Sequence, residues 1–215
     1  MSSNTYKVVA FDCDGVMFDT KKANQAYYNT ILDFVKMPPM TAEQAQYAHM
    51  HTVDEALDHL IKAPDIRSKA EKYRQQMVYL PFMKLMVIEP HLKQLLDKIR
   101  PAYSTAIATN RTDTIRRVLS DHGLTDGFDL VVSALDVEHP KPFPDQLLTI
   151  QMHFGIKASQ ILYIGDSKLD EMAAKGAQVP FAAFNNPQLA ADYHINTFCG
   201  CNCVFGCGGI YLASG

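Results

Sequence analysis

Nowhere in the 215 residues does an apolar run approach the roughly 18 that a membrane-spanning helix requires. The chain starts Met-Ser-Ser-Asn-Thr-Tyr-Lys, and one short apolar stretch follows at residues 8–11. A secretory signal would need a longer apolar region behind a positive start. The expectation is a cytoplasmic protein with no membrane partner. Between Cys13 and Cys199 there is no cysteine at all, so no disulfide framework holds the fold together. Nor does one sign of charge prevail. Lys and Arg number 20 and Asp and Glu 23, for a net charge of −3, and both signs are spread along the chain. That leaves no electrostatic case for nucleic acid or an anionic membrane as the main partner.

What is present suits a folded globular chain, with 47% hydrophobic and 20% charged residues and enough length to bury a sizeable core. Residues 5–12 read as a buried strand ended by the turn pair Asp14-Gly15. Helical periodicity follows over residues 20–36, with Ala23, Tyr27, Ile31 and Val35 on one face, Asp19 or Thr20 available as cap, and Pro38-Pro39 as breaker. Thr41, with Glu43 and Gln44 behind it, starts another helix. Residues 41–86 hold several short helices and no convincing strand. From about residue 100, strand and helix alternate: strands at 104–109, 128–134, 160–164 and 180–184, and helices at 113–122, 145–154 and 168–175. Such alternation implies right-handed βαβ units and a parallel sheet covered on both faces. The expected fold is α/β, a doubly wound parallel-sheet core with an inserted α-helical cap. The expected divisions are core at 1–19, cap at 20–86, core at 87–197 and a Cys/Gly-rich tail at 198–215.

In doubly wound sheets ligands sit outside the carboxyl ends of the strands, and four such ends carry charged or hydroxyl residues. The first is Asp12-Cys13-Asp14-Gly15-Val16, whose two aspartates share a face of an extended chain. They can hold a hard divalent cation, or divide nucleophilic attack and proton transfer between them; as a plain polar turn they would do neither. The second is Thr109-Asn110-Arg111, where a hydroxyl and helix-start amides can hold phosphate oxygens or serve only as a cap. The third is Pro140-Lys141-Pro142-Phe143-Pro144-Asp145, a proline-stiffened loop around one lysine. Its ammonium can offset charge among phosphate and carboxylates, or simply lie on the surface. The fourth is Gly165-Asp166-Ser167-Lys168-Leu169-Asp170, with two aspartates four apart at the start of a helix. There, acids are also favoured by the helix dipole alone.

Taken in order, these segments resemble the haloacid dehalogenase superfamily, and within it the members like phosphoglycolate phosphatase and β-phosphoglucomutase. The resemblance spans the chain to about residue 197. It implies a magnesium-dependent phosphatase that hydrolyses a small soluble phosphate monoester through an aspartyl-phosphate. It implies Asp12 as nucleophile and metal ligand, and Asp14 as general acid then base that binds the metal through its backbone carbonyl. Thr109 and the Asn110 amide would hold the phosphoryl group. Lys141 would neutralise charge on Asp12 and the phosphate, Asp166 would ligate Mg2+, and Asp170 would order the metal's waters. Two departures from the pattern, Pro140 before the motif lysine and Gln178 after Ala177, concern loop geometry rather than chemistry.

Asp14 speaks against a metal-free dehalogenase and against a phosphonatase-like enzyme, both of which replace it in this superfamily. A β-phosphoglucomutase-like phosphomutase keeps the whole set and is the enzymatic alternative, although the Arg-containing cap segment expected of one is not evident. A non-catalytic binding protein on the same fold is the remaining class; such a protein usually loses one of the charged groups, and none is missing. For the choice of phosphorylated metabolite the cap offers Tyr27, Tyr28, Tyr47, His49, His51, Lys62, Arg67, Tyr73 and Arg74, most of them ordinary surface or packing positions. The tail, with Cys199, Cys201, Cys203 and Cys207, has C-x-C spacings unlike a C-x-x-C zinc frame. Its readings are a soft-metal site, a poorly ordered end or altered sequence.

Overall fold

Val8–Phe11 (β1) is apolar at every position, as a strand buried on both faces must be, and all four residues are buried. The computed structural model describes residues 6–51, 53–100 and 102–198; the cysteine-rich tail expected at 198–215 lies outside them from residue 199 on. The elements after β1 are β2 (Phe18–Asp19), α1 (Lys21–Phe34), α2 (Ala42–Met50), α3 (Val53–Leu60), α4 (Pro64–Arg74) and α5 (Leu80–Met83). They are followed by β3 (Val87–Ile88), α6 (Leu92–Ile99), β4 (Ser104–Ala108), α7 (Ile115–Asp121) and β5 (Leu130–Val132). The last are α8 (Asp145–Phe154), β6 (Ile161–Gly165), α9 (Lys168–Ala177), β7 (Phe181–Phe184) and β8 (Tyr193–Ile195).

The chain forms two compact units: the helical stretch Asp19–Val87, and a sheet unit made of everything before and after it. The sheet unit has six parallel strands in the order β5-β4-β1-β6-β7-β8. β1 is central, and the direction of winding reverses beside it, which makes the ends of β1 and β6 the topological switch point. Register then sets the site. Phe11 lies level with Ile107 on one side and Ile164 on the other, so Asp12, Thr109 and Gly165-Asp166 emerge at nearly one height. Alternation sends Val8, Ala10, Ala106, Ala108, Ile161 and Tyr163 to one face, where Leu147 and Ile150 of α8 and Ala173, Ala174 and Ala177 of α9 cover them.

The helical unit has its own core. In α1 the buried stripe is Ala23, Tyr28, Ile31 and Leu32, with Tyr27 and Val35 at its margin, because a 3.6-residue turn drifts from strict four-residue spacing. Thr20 is the N-cap position but its side chain makes no capping bond; Asp19 accepts from the Lys21 N–H instead. Thr41 and Gln44 form the reciprocal capping box of α2. Tyr28, Ile31, Leu32, Leu57 and Leu60 close the apolar interior. Among the described residues no helix is long and apolar enough to cross a membrane.

Three features differ from sequence expectation. The helix α6 is absent from the elements expected above, although Leu92, Leu95, Leu96 and Ile99 stand at i, i+3, i+4 and i+7 and are buried, and the short strand β8 is defined by its pairing with β7. Gln178 closes α9 in the left-handed conformation at φ 55, the place where glycine commonly sits, so its presence alters a side chain and not the course of the chain.

Phe198, which the sequence reading assigns to the tail, packs with the core. Phe198 is 3% exposed and its ring packs on Phe184 at 4.6 Å and on Phe11 at 6.2 Å. Deleting a buried phenyl ring costs about 3–5 kcal/mol. A chain ending at Thr197 should therefore unfold at lower denaturant than one ending at Phe198, by roughly that free energy. Equal midpoints for the two would show that the ring contributes nothing.

Candidate active site

The site is assembled around one buried ammonium. Lys141 is 6% exposed, and its Nζ donates to Asp12 Oδ1 at 2.6 Å, to Asp170 Oδ1 at 2.7 Å and to the Tyr163 hydroxyl at 3.0 Å. An ammonium has three N–H donors, so each has a partner. The Tyr163 hydroxyl passes its own proton on to Asp170 Oδ1 at 2.7 Å. The other oxygen of Asp170 accepts from Ser167 Oγ at 2.5 Å and from the N–H groups of Ser167 at 3.0 Å and Asp166 at 3.2 Å. Asp170 is thus an anchor, fully buried, fixed by the capping box that starts α9.

Asp166 differs. It precedes α9, is partly buried, and no donor meets its carboxylate among the described residues. One oxygen each of Asp12, Asp166 and Asp170 lie within 4.8 Å of one another. The Gly15 turn packs on this carboxylate so closely that a Cβ there would sit 1.9 Å from Asp166 Oδ2, and Gly15 is at φ 85. Gly165 is equally constrained, since a Cβ would lie 2.4 Å from Asp170 Cβ. An undonated carboxylate beside two others is the donor set of a hard divalent cation such as Mg2+. The residues fit one: Asp12 and Asp166 offer free oxygens, and Asp170 has its oxygens engaged.

Charge follows from this crowding. Burial pushes the Asp12 carboxyl up to about 7 against the pull of Lys141, and Asp170 and Asp14 add to the rise. Burial, then the charges of Asp170 and Asp12, push Asp166 well above the carboxylate range. For Asp170 burial acts upward too, but Lys141 and the hydrogen bonds of Ser167 and Tyr163 outweigh it and hold the group down. Burial alone would depress Lys141; Asp12 and Asp170 reverse that and keep it firmly protonated.

Asp14 stands apart from the three-aspartate cluster. Its carboxylate accepts from Arg111 Nε at 3.1 Å and Arg111 Nη2 at 2.5 Å. Any metal role therefore falls to its backbone carbonyl. Thr109 follows β4 and is 1% exposed; its Oγ1 accepts from the Arg111 N–H at 3.1 Å, which leaves the hydroxyl proton for a ligand. The Asn110 side chain donates to the Lys141 carbonyl at 2.8 Å, which ties the two loops together. Of the seven positions named from sequence, Asp12, Asp14, Thr109, Asn110 and Asp166 follow the ends of β1, β4 and β6, Lys141 lies in the loop before α8 and Asp170 in the first turn of α9. Two further residues were not singled out. Arg111 is legible only as the basic residue after Thr-Asn. Tyr163 is legible only as a hydroxyl two positions before Gly165 in an otherwise apolar strand.

Most of the helical unit's named side chains have partners inside that unit. Arg67 binds Asp54, Asp58 and Glu71, and Arg74 binds Glu71. Lys62 donates to the Asp58 carbonyl, Tyr73 stacks on Phe34 at 3.9 Å, and Tyr28 is buried. Tyr47 lies between the rings of His51 and His59, and His49 meets Asn24 at 3.4 Å.

The sequence pattern of the haloacid dehalogenase-like hydrolases matches residues 9–184. A phosphoglycolate phosphatase of Vibrio parahaemolyticus is 24% identical over 188 residues, covering 82% of each chain. A crystal structure of a HAD-superfamily hydrolase of subfamily IA from Geobacter sulfurreducens is 32% identical, with TM-score 0.77 over 92% of this chain and 94% of that one. A β-phosphoglucomutase from Clostridium difficile is similar at TM-score 0.72 over 90% and 92%, but at 16% identity it shares the fold alone.

The raised carboxyls carry a pH signature. Burial holds the Asp12 carboxyl up at about 7 and Asp166 above the carboxylate range, so a cation, which takes them ionised, should bind more weakly as pH drops through about 7. Calorimetric titration with Mg2+ should give weaker binding at pH 6 than at pH 8, by up to about ten-fold per pH unit for each proton released. Affinity unchanged across that range would mean that both groups are already ionised.

Proposed function

The chain belongs to the haloacid dehalogenase-like hydrolase family and is a phosphatase of it, and from that premise we propose that it is a Mg2+-dependent enzyme that hydrolyses a small phosphate monoester through a phosphate ester of Asp12. The observation that carries this reading is the pairing of Asp12 with a saturated buried lysine on one side and the undonated Asp166 carboxylate on the other. With every carboxylate ionised, Asp12, Asp14, Asp166 and Asp170 face the cations Lys141 and Arg111, and the surplus of two negative charges equals one divalent cation. Asp12, Asp166 and the Asp14 carbonyl would hold that ion, with Asp170 ordering its surroundings. When bound it supplies charge neutralisation for the nucleophile and the phosphoryl oxygens.

Asp12 attacks phosphorus, and the bond from phosphorus to the bridging oxygen breaks. Lys141 holds the attacking carboxylate in place and offsets its charge. Thr109 Oγ1 and the Asn110 N–H donate to phosphoryl oxygens. Asp14 gives its proton to the departing alkoxide. It then takes one from the water that attacks phosphorus in the second step, which frees Asp12 and inorganic phosphate. The names borne by curated relatives favour a short phosphorylated carboxylic acid as substrate, with 2-phosphoglycolate the first to test.

The helical unit Asp19–Val87 is inserted in the chain directly after the Asp12 turn, and it is the part we assign to substrate choice. Folded variants within it should reorder a panel of phosphate esters and leave the metal requirement as it is. Variants that change the metal requirement without changing the ranking would count against that division.

Asp12→Asn should abolish turnover and leave no phosphorylated protein, because an amide is a poor nucleophile. Asp14→Asn should slow turnover by about 10²- to 10⁴-fold. With an aryl phosphate, whose leaving group needs little acid help, it should accumulate phosphorylated protein that intact mass spectrometry detects. Parental turnover by Asp14→Asn, or full activity in excess chelator, would overturn the mechanism.

A further inference from the structure

The acid–base carboxylate sits on a turn, with the side chain of Asp14 35% exposed beside the left-handed Gly15. Nothing in the three-aspartate cluster fixes where it points. Arg111 does. Its side chain is 6% exposed, and it grips both oxygens of Asp14 through Nε and Nη2. The guanidinium is itself fixed, with Nη1 donating to Thr114 Oγ1 at 3.1 Å and the backbone N–H donating to Thr109 Oγ1 at 3.1 Å. A planar fork on both oxygens sets the plane of the carboxylate as well as its location, which an ammonium cannot do. Surface ion pairs contribute little, but a buried, anchored, bidentate arginine has a defined geometry to impose. In either protonation state the carboxyl keeps an oxygen for the guanidinium.

We propose that Arg111 is the positioning residue for Asp14, a role that rests on the acid–base assignment above. The turn Thr109–Arg111 then organises three parts of the site together. Thr109 offers its hydroxyl, Asn110 ties down the Lys141 loop through the Lys141 carbonyl, and Arg111 aims the acid.

The test is a double-mutant cycle on the full chain with an aryl phosphate. Arg111→Gln should lower kcat by about 10- to 100-fold, as loss of an orienting partner typically does, with KM and calorimetric Mg2+ binding nearly unchanged. Arg111→Lys should recover part of the loss. In an Asp14→Asn background, Arg111→Gln should cause no further loss, since there is no acid left to aim. A loss in that background equal to the loss in the parent would overturn the proposal, because it would mean that Arg111 acts on substrate or fold directly. If Arg111→Gln does not fold, Thr114→Val releases only Nη1 and runs the same cycle, with a smaller loss that must also vanish without Asp14. Parental activity of Asp14→Asn alone would remove the acid–base reading itself, and it is measured without touching Arg111.

Discussion

The ammonium of Lys141 is the charge on which the rest of the site depends. Burying a lysine is tolerable only when paired, and here the partners are two carboxylates and a phenol. The dependence is mutual. Without the lysine, Asp12 and Asp170 would be neighbouring buried anions, and burial would press both towards protonation. With it, Asp170 stays ionised and Asp12 is left an oxygen to present. The sheet does its part by placing Asp12 at the end of the central strand, where its N–H is held by the Ile164 carbonyl at 2.8 Å.

Around that bridge the site separates into fixed and free groups. Asp170 spends all its accepting capacity on Lys141, Tyr163, Ser167 and the Asp166 N–H, and Asn110 spends its side chain on a carbonyl. Among the described residues no donor meets the Asp166 carboxylate or the second oxygen of Asp12. Groups that hold others in place are satisfied from within, and the unsatisfied ones face the chemistry. Preorganisation of this kind lets charge develop without reorganising the surroundings.

Much of this was legible in the sequence, for physical reasons. Motif residues sit immediately after apolar runs, and a parallel sheet turns that position into a location: the ends of β1, β4 and β6 lie at one height because their registers agree. What the sequence hid was partnership. A lysine between prolines reads equally as surface or centre, and only burial decides. Tyr163 hides because a tyrosine in a strand is ordinary core, and its hydroxyl gains meaning from Lys141, far away in the chain. In the helical unit, Arg67 and Arg74 looked available and are engaged by Glu71, a pairing that i, i+3 and i, i+4 spacing permits but does not announce.

The central place of β1 has a consequence for how the protein comes into being on the ribosome. The strand that leads into Asp12 is made well before its partners, since Val8 pairs with Ser104 on one side and Ile161 on the other. Its neighbours are synthesised long afterwards, and loop closure over such separations is slow. The helices of Asp19–Val87, whose contacts are local, can collapse first. Until β4 has left the exit tunnel the nascent chain carries an apolar strand with both edges bare, and until β6 follows one edge still lacks its neighbour, a template for unwanted pairing. The most exposed moment in this molecule's life thus comes before its active site exists, and the span between its first strand and its sixth sets how long that moment lasts.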